Sequence, residues 1–312
     1  MIALALIGAG KWGQNYLLSA SQLNNCIIKY VCAQKQKTLN ILPDKYIKTL
    51  IVDDLVKNND IDGFIIATPG STHFEIAKKL LSLGHNLLIE KPLTTDYKQA
   101  LILQKIWRIK RPKVLIGHTY LYNPAYKIFK KEYNNISIVK SMNFEGLSSP
   151  ERKDLSIIWD WGPHPISMLI DLIQQPIKKV KAQGLITKNS KLYNTVYITL
   201  HFINDIKASI HLSWKGKIKV RRLTVKGDNK KIEFDDTNSN KRKILIQTLN
   251  NLPKYPKYDP ASALNNELLE FTHAIQGSKK ITSGIDLGVE VIRILSAIEK
   301  SVVNNGKLIE LN

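Results

Sequence analysis

The chain has 312 residues, of which 44% are hydrophobic and 23% charged, as is typical of a globular protein with two domains. Its two cysteines, Cys26 and Cys32, argue against a disulfide framework or a cysteine-based metal site, and favour the reducing cytoplasm. The formal net charge is +20, but no dense lysine tract with interleaved aromatics indicates specific nucleic-acid binding, which leaves an anionic small molecule as a compatible partner. No apolar run approaches the roughly twenty residues that cross a bilayer, so no membrane partner is expected.

The first 118 residues alternate short apolar runs with amphipathic ones. The opening run, IALALI, lacks a preceding positive segment and breaks at Gly8, so it is interpreted as a strand and not as a signal peptide. GFIIAT and NLLIE are apolar nearly throughout, as strands buried on both faces are, and helix-like runs such as STHFEIAKKLLSLG separate them. The alternation predicts a doubly wound parallel sheet, a Rossmann domain, over residues 1–118.

From residue 119 the pattern changes. Helix-like runs at 123–135 and 163–174 precede segments 196–202 and 208–214, in which apolar and polar residues alternate strictly. Period two with one apolar face predicts a large, mostly antiparallel open sheet, whose other face meets water or a second subunit. The polar residues expected on that face include Thr199, His201, Ser209 and Ser213. With closing helices near 261–276 and 285–304, and a polar loop at 235–243, the sequence predicts an α+β domain over residues 119–312.

A glycine motif, Gly8-x-Gly10-x-x-Gly13, directly follows the first strand and precedes a helix. Glycine allows the tight turn there, lets the backbone approach a pyrophosphate, and directs the N-terminus of the helix at it. The motif predicts a dinucleotide site, with Lys11 and Trp12 as further contacts. The alternative is a glycine-rich turn that binds no ligand.

The residues after the second strand bear on the choice of cofactor. NAD-binding versions of this motif carry an acid about twenty positions on, which bonds the ribose hydroxyls. Here Gln34 and Lys35 occupy that place, and Lys35 or Lys37 could instead meet a 2′-phosphate. The sequence therefore favours NADP over NAD, although solvated lysines explain the pattern nearly as well.

Polar residues follow two further predicted strands. Thr68 and Pro69 end the fourth strand, with His73 at the start of the next helix, and Glu90 and Lys91 end the fifth. Since the carboxyl ends of parallel strands face the ligand crevice, these residues are candidate cofactor contacts. The Lys91 ammonium could also stabilise negative charge on a substrate oxygen, unless it faces solvent as most surface lysines do.

The segment WDWGPHPISMLIDLI, residues 159–173, places Asp160 four positions before His164. Prolines fit the first turn of a helix, so a helix is predicted to start near Gly162 and to end before Pro176. The positive end of that helix favours a neutral imidazole that can act as a base. An aspartate N-cap followed by a surface histidine is the alternative.

Together these motifs resemble, over essentially the whole chain, the glucose-fructose oxidoreductase and inositol dehydrogenase (Gfo/Idh/MocA) family of nicotinamide-dependent oxidoreductases. The segments that carry the resemblance are GxGxxG, ATPGSTHFEIA, EKPLTTD, GHTYLYNPAY, D-x-G-x-H, ELLEFTHAIQG and the C-terminal GIDLGVEVIRILSAIEKSVVNNGKLIEL. The resemblance implies that Lys91, Asp160 and His164 are catalytic. It also implies hydride transfer between NAD(P) and a secondary hydroxyl or ketone of a sugar, and a homodimer or homotetramer.

Substrate identity follows less directly from the resemblance. Tyr120, Asn123, Arg152 and Lys153 flank the predicted catalytic helix in the sequence and are candidate substrate contacts. Many members carry an arginine where Leu121 stands and an aspartate where Ser167 stands, so their substrates cannot be transferred to this chain. The DWGPH and GHTYLYNP segments resemble members that act on nucleotide-linked sugars.

A non-catalytic sensor or regulatory protein of the same fold is the competing hypothesis. The presence of Lys91, Asp160 and His164 argues against it, because a protein that performs no catalysis has no chemical need for all three. The same three residues argue against an imine or pyrrole reductase.

Overall fold

The computed structural model describes residues 1–186, 191–239, 241–249 and 251–311, which fold into two compact units. The first unit contains Met1–Thr119 and Ser262–Ile292, and the second contains Tyr120–Ala261 and the segment that starts at Arg293. The division predicted from sequence falls beside Thr119, but it assigned residues 262–292 to the second domain. They join the first unit because Phe271 and Ile275 pack directly over Gly63 of its sheet.

In chain order the strands are β1 (Ile2–Ile7), β2 (Cys26–Cys32), β3 (Ile47–Thr49), β4 (Gly63–Ile66), β5 (Leu87–Glu90), β6 (Val114–Gly117), β7 (Val139–Leu147), β8 (Ile177–Leu185), β9 (Thr195–Phe202), β10 (Lys207–Ser213), β11 (Val220–Gly227), β12 (Lys230–Asp235), β13 (Ile244–Thr248) and β14 (Ile309–Glu310). The helices are α1 (Lys11–Ser21), α2 (Gln36–Asn40), α3 (Val52–Val56), α4 (His73–Ser82), α5 (Tyr97–Lys110), α6 (Pro124–Tyr133), α7 (Ile157–Trp161), α8 (Pro163–Ile173), α9 (Ala263–Ile275) and α10 (Ile285–Val303).

The first unit is built on a six-stranded parallel sheet with the order β3-β2-β1-β4-β5-β6. Strands β4, β5 and β6 are buried on both faces, since every one of their residues is buried. The predicted doubly wound parallel sheet is therefore confirmed. The strand order places the carboxyl ends of β1 and β4 side by side, which is the position where this class of fold binds ligands.

The second unit contains an eight-stranded sheet with the order β13-β12-β11-β7-β10-β9-β8-β14, in which β10 and β7 run parallel and the other pairs antiparallel. The predicted mostly antiparallel sheet is thus confirmed. The sequence pattern predicts β9 and β10, whose alternation is strict, but not β7, β8 and β11, which lysines and glycines interrupt.

Two details of this sheet differ from expectation. Thr199 and Ser209 pair on its open face as predicted, but Ser213 is buried, with its hydroxyl 2.7 Å from that of Thr195. The predicted loop at 235–243 begins one residue late, because Asp235 still belongs to β12. No helix in the described part of the chain is long and apolar enough to cross a membrane.

Candidate functional site

The glycine turn of the first unit joins β1 to α1. Gly8 has a φ of +100°, and a Cβ there would lie 2.6 Å from the carbonyl carbon of Ala67. A Cβ on Gly13 would lie 1.9 Å from the Gly8 oxygen. At Gly10, by contrast, a Cβ would meet no heavy atom within 4 Å. The fold itself requires glycine at positions 8 and 13, whereas the space before Gly10, the N-cap of α1, is open to a ligand.

A groove of about 410 Å³ opens beside this turn. It is lined by Ile7, Gly8, Ala9, Gly10, Cys32, Ala33, Gln34, Lys35, Thr38, Leu50, Val52, Ala67, Thr68, Pro69, Thr72 and Ile76. Six of these residues were predicted to contact the cofactor: Gly8 and Gly10 after β1, Gln34 and Lys35 after β2, and Thr68 and Pro69 after β4. None of these lining residues is acidic, and Lys35 supplies the cationic side chain.

His73 lies apart from that groove. Its side chain is fully buried, and its Nδ1 and Nε2 atoms lie 2.7 and 2.9 Å from the carbonyl oxygens of Pro92 and Thr68. Burial lowers the pKa of His73, although both backbone contacts partly oppose that shift. The imidazole therefore links the segment after β4 to the segment after β5.

Glu90 and Lys91 end β5, at the same edge of the sheet. The buried Glu90 carboxylate accepts hydrogen bonds from the Trp12 indole, from the Tyr16 hydroxyl at 2.6 Å and from the backbone N–H of Lys91 at 3.1 Å. The half-buried Lys91 precedes a cis peptide bond to Pro92. Through Glu90 the glycine turn is thus connected to the backbone of the candidate catalytic lysine. Lys11 is exposed beside the turn.

His118 is a residue that sequence reasoning did not select. It follows β6 directly, it is 1% exposed, and neither ring nitrogen has a hydrogen-bond partner in the part of the chain that the structure describes. Burial, together with the nearby charge of Lys91, lowers the pKa of His118 to about 3, so the ring is neutral. Its position after a parallel strand was the available sequence signal.

In the second unit, Asp160 lies in the short helix α7 and His164 in the first turn of α8, so the predicted helix start is correct. Gly162 joins the two helices, where a Cβ would lie 2.2 Å from the Ile158 oxygen and 2.6 Å from a Leu295 methyl. Asp160 is 8% exposed, within 3.4 Å of the Trp214 indole nitrogen and 3.6 Å of the Arg152 guanidinium. A buried carboxylate is thereby held beside the helix that carries the histidine.

Aromatic rings hold the His164 imidazole. The Tyr120 ring meets it edge to face with centroids 5.0 Å apart, and the Trp161 ring lies at 5.1 Å. Burial raises the pKa of Tyr120, and the charge of Asp236 raises it further, so the phenol stays protonated. Ser167, at the position that departs from the family pattern, donates to the His164 carbonyl at 3.0 Å.

The other predicted substrate contacts differ in their availability. The buried Asn123 caps α6 by accepting from the Ala125 N–H at 2.9 Å, and its amide lies 3.2 Å from Asp236. Arg152 makes a two-pronged contact with Asp154 at 2.9 and 2.6 Å. Lys153 is exposed. The Asn123 side chain therefore already has hydrogen-bond partners within the protein, while Arg152 and Lys153 lie near the surface.

Arg221 is a second residue that sequence reasoning missed. Its guanidinium stacks 3.6 Å from the Trp161 ring centroid, it is 3% exposed, and it donates to the carbonyl oxygens of Leu147 and Val220, both at 2.5 Å. Burial lowers the pKa of Arg221, and the neighbouring Tyr120, Asp236 and Asp160 oppose that effect. A buried cation thus fixes one of the two rings that hold His164. Nothing in the local sequence VRRL distinguishes it from its neighbour Arg222.

Two family models match this chain. The model described as an oxidoreductase family with an NAD-binding Rossmann fold, Gfo/Idh/MocA, matches residues 2–118, and the model of the Gfo/Idh/MocA C-terminal domain matches residues 145–233.

Named relatives match at low identity. Inositol 2-dehydrogenase 1 from Paenarthrobacter aurescens (strain TC1) is 26% identical over 143 residues, which is 44% of this chain but only 40% of that protein's length. UDP-N-acetylglucosamine 3-dehydrogenase from Acidithiobacillus ferrooxidans (strain ATCC 23270) is 25% identical over 248 residues, 76% of this chain and 77% of that one. The crystal structure of GenD2 from gentamicin A biosynthesis, in complex with NAD, shares the fold with a TM-score of 0.87 at 17% identity, over 100% of this chain and 96% of the other.

Proposed function

Because the chain belongs to the Gfo/Idh/MocA family of NAD-binding oxidoreductases, we propose that it transfers a hydride between a nicotinamide dinucleotide and a carbon that bears a secondary hydroxyl. The observation that carries this proposal is the open turn at Gly10, which lies before the N-terminus of α1 and beside a groove in the same unit as Lys91. Gly8, Gly10 and the groove-lining Thr68 and Gln34 would hold the cofactor.

The bound nicotinamide would supply the hydride acceptor or donor, while the side chains supply position and proton transfer. In the oxidation direction, His164 would take the proton of the substrate hydroxyl, as a general base does. Asp160, buried beside that helix, would orient the base. The Lys91 ammonium would stabilise the negative charge that develops on the hydroxyl oxygen when its proton leaves, while the carbon that bears this oxygen gives up the hydride. In reduction, His164 would return the proton to the ketone oxygen.

The substrate that we favour is a nucleotide-linked sugar. The UDP-N-acetylglucosamine 3-dehydrogenase matches over 76% of this chain, including much of the second unit, whereas the inositol 2-dehydrogenase matches over 44%. A diphosphate group would also suit a chain of net charge +20 through long-range steering. The near-surface Arg152 and Lys153 are the candidate contacts for such an anionic substrate.

We expect UDP-linked sugars to reduce NADP⁺ or NAD⁺ in the presence of the purified protein and myo-inositol to do so poorly. The measurement is nicotinamide absorbance with a panel of UDP-N-acetylglucosamine, UDP-glucose and myo-inositol. Turnover of inositol without turnover of any UDP-sugar would contradict the nucleotide-sugar proposal. Cofactor binding without turnover of any panel member would favour the sensor hypothesis.

Lys35 is the residue through which we propose a preference for NADP over NAD. Replacing Lys35 by alanine is expected to weaken NADPH binding about tenfold, because a charge-assisted contact to the 2′-phosphate is lost, and to leave NADH binding unchanged. Fluorescence titration with both cofactors measures this difference. Lys37→Ala is the matched control, since Lys37 is exposed on α2 and does not line the groove. Equal losses for NADPH and NADH would contradict the proposed contact.

The open face of the eight-stranded sheet is our candidate surface for a second copy of the chain. Its polar and half-exposed residues include Tyr197, whose ring stacks on His211 with centroids 4.3 Å apart. A homodimer or homotetramer through this face would make the second unit both the substrate-binding and the oligomerisation domain.

A further inference from the structure

Three buried side chains of the first unit meet at one point. Tyr16 comes from α1, Glu90 from the end of β5, and Glu267 from α9, and none is more than 5% exposed. The Tyr16 hydroxyl oxygen lies 2.6 Å from an oxygen of Glu90 and 2.9 Å from an oxygen of Glu267. Two buried carboxyl groups therefore share one phenol.

The two oxygen–oxygen contacts of Tyr16 each need a hydrogen, and the phenol can supply only one of them. A phenol carries one hydrogen and can donate to only one of the two carboxyl groups. Burial raises the pKa of Tyr16 well above its ordinary value, and the two neighbouring carboxyl groups add to that effect, so the phenol keeps its hydrogen. A second hydrogen is then needed at the other oxygen–oxygen contact, because an ionised carboxylate only accepts. One of the two carboxyl groups must supply it.

The surroundings distinguish Glu90 from Glu267. Burial raises the pKa of Glu90, but hydrogen bonds from Tyr16, from the Trp12 indole and from the Lys91 N–H, together with the Lys91 charge, oppose that rise. For Glu267, burial raises the pKa most, and the charges of Glu90 and Glu270 raise it further, while Tyr16 and Thr119 oppose them only in part. The negative charge is thus better stabilised on Glu90.

We propose that Glu267 is a protonated carboxylic acid in the folded protein and that it donates to Tyr16, which in turn donates to ionised Glu90. The two hydrogen bonds therefore run from Glu267 to Tyr16 and from Tyr16 to Glu90. Glu90, with its charge retained, then holds both the Trp12 indole of the glycine turn and the Lys91 backbone. Glu267 is then a positioning residue for Lys91. This role rests on the proposed function, whereas the protonation of Glu267 does not.

Two other titratable groups lie near these three side chains. Glu270, also on α9, accepts from the Thr282 N–H at 2.6 Å and hydroxyl at 2.9 Å and lies 3.5 Å from the Lys279 ammonium. His118, which faces the charge of Lys91, has its pKa lowered to about 3 and stays neutral. Glu267 is therefore the group expected to hold a proton at neutral pH.

Infrared spectroscopy of the purified protein at pH 8 tests the proposal without any substrate. An ordinary glutamate has a pKa of about 4.3 and is ionised at that pH. We expect a carbonyl band of a protonated carboxylic acid in the wild type, its loss in Glu267→Gln, and its retention in Glu270→Gln, the matched control. A wild-type spectrum without such a band would overturn the proposal, and so would a band that persists in Glu267→Gln.

Substitution at the same position gives a second, independent readout. Glutamine keeps a donor that can face Tyr16, so Glu267→Gln is expected to unfold close to the wild-type temperature, whereas Glu267→Ala, which leaves Tyr16 without its donor, unfolds at a lower one. Equal destabilisation by glutamine and alanine would contradict donation from Glu267. Neither measurement depends on turnover, so failure of the proposed function would leave both results interpretable.

Discussion

Replacing His164 by alanine is expected to lower kcat by about 10²–10⁴-fold, the usual contribution of a general acid–base residue, while NADPH binding changes little. The reason is that the imidazole is the proposed proton acceptor and lies in the second unit, whereas the groove for the dinucleotide lies in the first. Steady-state kinetics with the best UDP-sugar of the panel and fluorescence titration with NADPH give the two quantities.

His273→Ala is the control for this experiment, because His273 is a partly exposed histidine on α9 of the first unit, outside the proposed chemistry. Thermal unfolding of His164→Ala must also be measured, since the ring packs between Tyr120 and Trp161. A folded His164→Ala protein with kcat within about tenfold of the wild type would contradict the role of His164 as base.

Lys91→Ala is likewise expected to lose turnover and to retain cofactor binding.

Replacing Gly10 by alanine is expected to weaken NADPH binding by about 10- to 100-fold without unfolding the protein. Gly10 has an ordinary φ of −69°, and an added Cβ meets none of the described protein atoms within 4 Å. The methyl group would instead occupy the space that the pyrophosphate needs in order to reach the helix N–H groups, and losing such charge-assisted hydrogen bonds costs about 1.5–3 kcal/mol. Fluorescence titration measures the affinity, and urea unfolding measures the stability.

Gly284→Ala is the matched control, because a Cβ there makes only contacts of 4.0 Å and lies far from the glycine turn in sequence. Stability changes within about 1 kcal/mol are expected for both variants. Gly13→Ala should behave differently and destabilise the fold, since its Cβ would lie 1.9 Å from the Gly8 oxygen. Unchanged NADPH affinity in Gly10→Ala would refute the assignment of the turn as a phosphate site.

The parts of the protein that could be predicted from sequence are those that short-range patterns encode. The glycine turn, the start of α8 at Pro163 and the strict alternation of β9 and β10 were each identified, because turn chemistry, proline geometry and a period of two act over a few neighbouring residues. Together with the strand-helix alternation of residues 1–118, they predicted the type of both sheets, although β7, β8 and β11 were missed.

Some features could be established only from the tertiary structure, because they join residues that are distant in the chain. Glu267 reaches Tyr16 across 251 positions, and no local pattern marks either residue as a partner of the other. Arg221 stacks on Trp161, which lies 60 positions earlier in the chain, although its sequence neighbour Arg222 has the same side chain. Local sequence patterns specify the turns, the periodicities and the identity of the side chains that can carry out chemistry. Whether those side chains are buried, paired or protonated depends on packing between segments that are distant in the chain.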